Sequence, residues 1–165
     1  MSDSPMTRAP GLARMARVPA LARVAGVAAV AARLTLGVLW VLEGITKYRA
    51  HFGAADIGFL VSGSETNERI PGYFEWLAHA VMSPLRVPLG FAMPAVEVAL
   101  GLALILGVLP LAAALASIAL LATYWSGDLL IAQYPVMLLL SAGMVMAPKV
   151  SGRWGITSLW RRRRA

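Results

Sequence analysis

Cysteine is absent from this 165-residue chain. That excludes disulfides, thiol nucleophiles, thiolate metal sites and any redox cycle run on the protein's own sulfur. It leaves the compartment open, because a chain without cysteine is tolerated on either side of a membrane. Histidine is nearly absent as well. His51 and His79 stand far apart in a polar segment with no partnering acid motif, so no metal site and no haem ligation are expected. No flavin or nucleotide fingerprint is present. Charge is scarce too: Asp, Glu, Lys and Arg make up 14% of the residues, against about 25% in an ordinary soluble domain. Between Val87 and Pro148 only Glu97 and Asp128 carry charge.

What fills the chain instead is apolar. The hydrophobic fraction is 59% and the mean hydropathy +0.71. Four stretches, 24–46, 88–106, 110–127 and 131–147, each approach the roughly 20 residues needed to cross a hydrocarbon core of about 30 Å. The expected fold is therefore all-α, an integral membrane four-helix bundle, with an outer loop over 47–87. Reading 24–32 as the core of a cleaved signal peptide is less satisfactory, since cleavage would leave a remnant before Glu43 too short to span. In the preferred reading Arg33 lies about 10 Å from the inner edge and snorkels back toward the headgroups.

The net charge of +7 is concentrated at the ends. Arg8, Arg14, Arg17 and Arg23 lie in a basic tail over 1–23; Lys149, Arg153 and the run Arg161 to Arg164 lie in another over 149–165. Neither tail interleaves aromatics or carries a nucleic-acid reading module, so nucleic acid is not an expected partner. Basic ends select the cytoplasm, which places both termini inside and the 47–87 loop outside a bacterial plasma membrane. Within that loop Tyr73, Phe74, Leu77, Ala78 and Val81 recur at helical spacing, with Glu75 and His79 opposite. This pattern predicts a short interfacial helix or a lid over the bundle. Trp40, Trp76, Trp125, Trp154 and Trp160 suit interfacial belt positions.

The remaining polar residues gather in the outer half. Glu43 and Lys47 are one turn apart at the outer end of the first helix, on the face that also carries Leu36 and Trp40. Glu97 lies about 13 Å below the outer edge of the second. Its face runs Gly90, Pro94, Glu97, Gly101, the small-residue stripe found where membrane helices approach closely. Asp128, Tyr124, Trp125 and Gln133 cluster at the turn joining the last two helices. The expectation is a polar cavity that opens outward, with one carboxyl at membrane depth able to exchange protons with a quinone or a proton-linked substrate. Structural roles for the same residues remain open. Glu97 can be a buried acid bonded to Tyr124 or Gln133, Glu43 with Lys47 an interface ion pair, and Asp128 a helix cap. A small transporter would want polar groups through both halves of the bundle, and the inner half holds only Arg33.

Three segments carry a family resemblance. The first helix reads RLTLGVLWVLEGITKY, the second opens PAVEVALGLALILGVLPLAAAL, and the end reads SGRWGITSLWRRRR. These resemble the DoxX/DoxD-like family of small four-helix membrane proteins at Arg33, Gly37, Gly44, Lys47, Glu97, Gly101 and Gly107, over most of residues 33 to 155. The resemblance implies the membrane subunit of a thiosulfate:quinone oxidoreductase, with quinone as the suspected cofactor and a second oxidoreductase subunit as partner; a homo-oligomer is also open. On that reading Glu97 is the proton-exchanging carboxyl, Lys47 offers positive charge to an anionic group, and Glu43 orients Lys47. Tyr124, Trp125, Asp128 and Trp40 line the ligand. The rival is a non-catalytic scaffold that docks a soluble redox or detoxifying enzyme through the basic tails.

Overall fold

A computed structural model describes residues 11–148, 155–158 and 160, with side chains described from Arg23 onward. The arginine run 161–164 and the basic residues 149 and 153 lie outside the described residues. The described part is helical and contains no strand.

Helix α1 runs over Gly11–Arg49, 39 residues, or about 58 Å at helical rise. It starts well before the expected position 24. It ends where His51 takes a left-handed conformation (φ 57°) and Phe52 N–H reaches back to the Lys47 carbonyl at 3.0 Å, a wrap that satisfies the last orphan carbonyls. Helix α2, Ala54–Thr66, opens on a capping interaction in which Gly53 N–H donates to Asp56 at 2.8 Å. Helix α3, Gly72–Leu77, follows Pro71 and passes into a π-helical turn at Ala78–Met82. Helix α4, Arg86–Leu106, stops at Gly107, whose φ of 67° few other residues adopt. Helix α5, Pro110–Ser126, begins with proline in its first turn, where no N–H is needed. Helix α6 covers Tyr134–Met146.

Two helical segments are long and apolar enough to cross a membrane, Arg23–Arg49 and Arg86–Leu106. Helices α5 and α6 are apolar but shorter, at 17 and 13 residues. Helix α6 is shorter than the expected span at 131–147 because Ile131 to Gln133 form a turn rather than a first helical turn.

Helices α1, α4, α5 and α6 contact one another in a closed cycle, α1 on α4, α4 on α5, α5 on α6 and α6 back on α1. Leu36, Trp40, Leu104, Leu121 and Met137 fill the space between them. The α1–α4 contact is the closest. A Cβ on Gly101 would stand 2.5 Å from the Gly37 carbonyl oxygen, and one on Gly44 would stand 2.7 Å from the Pro94 carbonyl oxygen. Helices α2 and α3 lie over one end of this cycle as a lid with its own small core of Ile57, Val61, Phe74, Ala78 and Met82.

Two expectations need correction. The interfacial pattern over 73–81 does form helix, but its buried row is Phe74, Ala78, Met82, while Tyr73 and Val81 face outward. The π turn shifts the register, so the inward row follows i, i+4, i+8. Arg33 does not snorkel to an edge. It is 2% exposed, and Gly107 and Gly155 close over its guanidinium. A Cβ on Gly107 would stand 2.7 Å from Arg33 Nη1. Thr157 fastens the closing segment by accepting from Leu109 N–H at 2.9 Å and donating to the Gly107 carbonyl at 3.1 Å.

Candidate functional site

The site forms at the lid end of the helix cycle, where each helix contributes one or two polar side chains to an otherwise apolar interior. Helix α1 contributes Glu43 and Lys47 from its last two turns. Helix α4 contributes Glu97 from its middle, brought close by the glycines that let α1 and α4 touch. Helix α5 contributes Tyr124 and helix α6 Tyr134, with Gln133 just before it.

Lys47 is the hub. Its ammonium donates to Glu43 Oε1 at 3.0 Å and also to Glu97 Oε1, and it lies 4.8 Å from the centre of the Tyr124 ring, a cation–π distance. Tyr124 donates its hydroxyl to the same Glu97 oxygen. On the other side of Lys47, Glu43 accepts from Tyr134 OH at 2.9 Å and from Gln133 Nε2 at 2.6 Å. The two tyrosine rings stack, with centroids 5.5 Å apart. Glu97 is fully buried, and its second oxygen, Oε2, has no hydrogen-bond partner among the described residues. An unpaired buried carboxyl oxygen costs desolvation that a proton or a ligand donor would recover.

A cavity of about 430 Å³ separates the lid from the helix cycle. Lys47 and Tyr124 form part of its floor, and Phe52, Ile57, Phe74 and Met93 give it apolar walls. Asn67 and Asp128 lie on its far side. There Asp128 Oδ2 accepts from Asn67 Nδ2 at 2.8 Å and from Arg69 Nη2 at 2.7 Å. Tyr73 OH and Ser126 Oγ, 2.6 Å apart, make a second tie between lid and α5. The cavity therefore has a floor that donates hydrogen bonds, greasy walls and a latched roof. Among the described residues no group of acids and histidines stands close enough to hold a metal ion.

Of the seven residues expected at the site, four meet: Glu43, Lys47, Glu97 and Tyr124. Trp40 does not line the cavity. It is buried beneath Tyr124 and donates Nε1–H to Ser117 Oγ at 2.8 Å, and Ser117 in turn bonds Ser141 at 2.8 Å. That chain ties α1, α5 and α6 together below the site. Trp125 is 50% exposed and lines a separate recess rather than the cavity, because its neighbour Tyr124 takes the inward position of the turn. Asp128 borders the cavity but does not join the cluster. Its left-handed conformation (φ 58°) ends α5, with Leu129 N–H wrapping back to the Tyr124 carbonyl at 3.0 Å, and its carboxylate is taken up by the lid. The expected convergence of all the outer acids is thus divided into a buried cluster and a separate latch.

Sequence reasoning missed Tyr134, Asn67 and Arg69; of the two partners it left open for Glu97, Tyr124 makes the bond and Gln133 goes to Glu43 instead. Tyr134 and Gln133 had one available signal: they are adjacent polar residues at the mouth of an apolar run. Nothing local marks Asn67 or Arg69. Comparison with known proteins returns no match, whether to a family model, to a curated protein or to a solved structure.

Proposed function

We propose that this chain is the membrane-embedded subunit of a quinone-linked oxidoreductase of the DoxX/DoxD-like kind. It would cross a bacterial plasma membrane four times, with the lid outside and both termini cytoplasmic. The carrying observation is that Lys47 and Tyr124 both reach the cavity floor and both bond the fully buried Glu97. A quinone ring offers only acceptor oxygens; the Lys47 ammonium keeps one N–H beyond the two carboxylates it holds, and the Tyr124 hydroxyl becomes a second donor when Glu97 carries a proton. The apolar walls suit the ring and the start of its tail, and the volume lies in the range of small-molecule pockets, about 300–1,000 Å³. A bound quinone supplies a two-electron acceptor whose oxygens take up protons as they gain charge. The chain does the rest. The Lys47 ammonium stabilises the growing negative charge, Tyr124 presents a hydroxyl proton, and Glu97 stands behind both as the group that exchanges it. Glu43 aims Lys47 and is itself held by Gln133 and Tyr134.

Membranes containing the full chain and its electron-donating partner subunit are expected to reduce decylubiquinone in the presence of thiosulfate. Glu97→Gln and Lys47→Ala should each lower that rate by about a hundredfold or more, the usual contribution of a positioned proton-transfer or charge-stabilising group. Unchanged rates in both variants would remove these roles. If activity survived both variants but vanished when residues 1–20 and 156–165 were trimmed, the docking-scaffold reading would replace this one.

A further inference from the structure

The buried cluster has a second exit that avoids the cavity. Glu43 is 8% exposed, but its Oε2 is bonded by Gln133, which is half-exposed at the start of α6. Its Oε1 is bonded by Tyr134, and Tyr134 borders a separate recess of about 140 Å³ walled by Trp125, Leu129, Leu130, Ile131 and Pro135. From Gln133 and Tyr134 an unbroken chain of hydrogen bonds runs through Glu43, Lys47 and Glu97 to Tyr124 on the cavity floor. A ligand filling the cavity displaces the water that could reach Lys47 from above. Protons demanded at the floor must then come from elsewhere.

We propose that the Gln133–Tyr134 end of the cluster is a proton port, through which protons enter at the start of α6 and pass by Glu43, Lys47 and Glu97 to Tyr124 at the cavity floor. Each step within the cluster moves one proton along an existing hydrogen bond, and no electron moves with it. Tyr124 gives its hydroxyl proton to a ligand oxygen and takes another from Glu97. Glu97 is refilled from the Lys47 ammonium, Lys47 from Glu43, and Glu43 from the Tyr134 hydroxyl, which water beside Gln133 replenishes. Glu97 Oε1, the oxygen that Lys47 and Tyr124 share, is the seat for the proton in transit. The ionisable groups facing Glu97 are Lys47 and Glu43 from α1, Tyr124 from α5 and Tyr134 from α6. Asp56 and Arg69 of the lid keep to Gly53 and Asp128. The port rests on the reading above only in that the cavity ligand accepts protons.

The absence of cysteine allows a test that needs no redox assay. Gly63 borders the cavity, and a Cβ there meets nothing within 4 Å. In Gly63→Cys, labelling with N-phenylmaleimide plugs the cavity from the lid without touching the cluster. Infrared spectra of the full chain in lipid nanodiscs then follow hydrogen–deuterium exchange at the phenol band that Tyr124→Phe abolishes. Exchange should persist in the plugged protein and slow about a hundredfold when Tyr134→Phe or Gln133→Leu is added, the low end for a positioned proton-transfer group. Gln133→Leu serves if Tyr134→Phe fails to fold. Two results overturn the port: exchange at the unmutated rate in the plugged variants, or exchange that plugging alone abolishes. These exchange rates in a protein that reduces no quinone would support the port while removing the redox reading.

Discussion

Lys47 holds two buried carboxylates apart, and its removal has a direct energetic consequence. Lys47→Met keeps the length of the side chain but leaves Glu43 and Glu97 facing each other without a cation. Breaking a buried ion pair from one side costs about 3–5 kcal/mol. Thermal unfolding in detergent should therefore show a clearly lower midpoint for Lys47→Met, and Lys47→Met/Glu97→Gln should recover a large part of the loss. A double variant no more stable than Lys47→Met alone would mean that Glu97 carries no charge for Lys47 to balance. Of these residues, the Glu43–Lys47 pair was legible in sequence, because an i, i+4 spacing on one helix places both groups on one face whatever the rest of the fold does. The pairing of Glu97 with Lys47 was half legible. The acid's depth and small-residue face pointed inward, but which donors it would meet depended on how far α1 and α5 rotate about their axes.

At the scale of elements, the α1–α4 contact is set by glycines. Gly37→Val or Gly101→Val would drive a branched side chain into backbone already 2.5–2.8 Å from the added Cβ. Overpacking of this kind costs about 1–3 kcal/mol, and here it also pushes Glu97 away from Lys47. Both variants should lose thermal stability and quinone reduction together, whereas Gly143→Ala on α6, with open space around it and away from the cavity, should lower neither. Helix α2 was the least legible element. Ser62, Gly63 and Ser64 read locally as a turn signal, yet they lie inside α2, and Ile57, Val61 and Ser64 are buried against the lid core and α4. Burial of an apolar row outweighs weak propensity, and no window of local sequence contains the surface that buries it.

At the scale of the whole molecule, the proposed orientation and the latch make separate predictions. A single cysteine at Glu65, an exposed lid position, should react with a membrane-impermeant maleimide in intact cells. Labelling only after lysis would invert the topology and with it the outward site. The Arg69–Asp128 contact is largely solvent-exposed on the arginine side, so Arg69→Ala should change stability by less than about 1 kcal/mol. It should nevertheless speed entry of decylubiquinone, read as faster quenching of tryptophan fluorescence, because that contact is one of three polar ties between the lid and the end of α5 among the described residues. Quenching rates equal to the unmutated protein would show that the lid does not limit entry.

By itself the amino-acid sequence determined the apolar helices, the scarcity of interior charge, the small-residue face of α4 and the one-turn spacing of Glu43 and Lys47. All of these follow from hydropathy and helical periodicity, which a few neighbouring residues are enough to specify. Only the tertiary structure decided that Gln133 and Tyr134 reach Glu43 across some 90 residues of chain, that Asp128 goes to the lid, and that Arg33 is enclosed by Gly107 and Gly155. Those partnerships depend on the rotation and depth of whole helices, which are set by the sum of packing contacts along their length and by no residue alone.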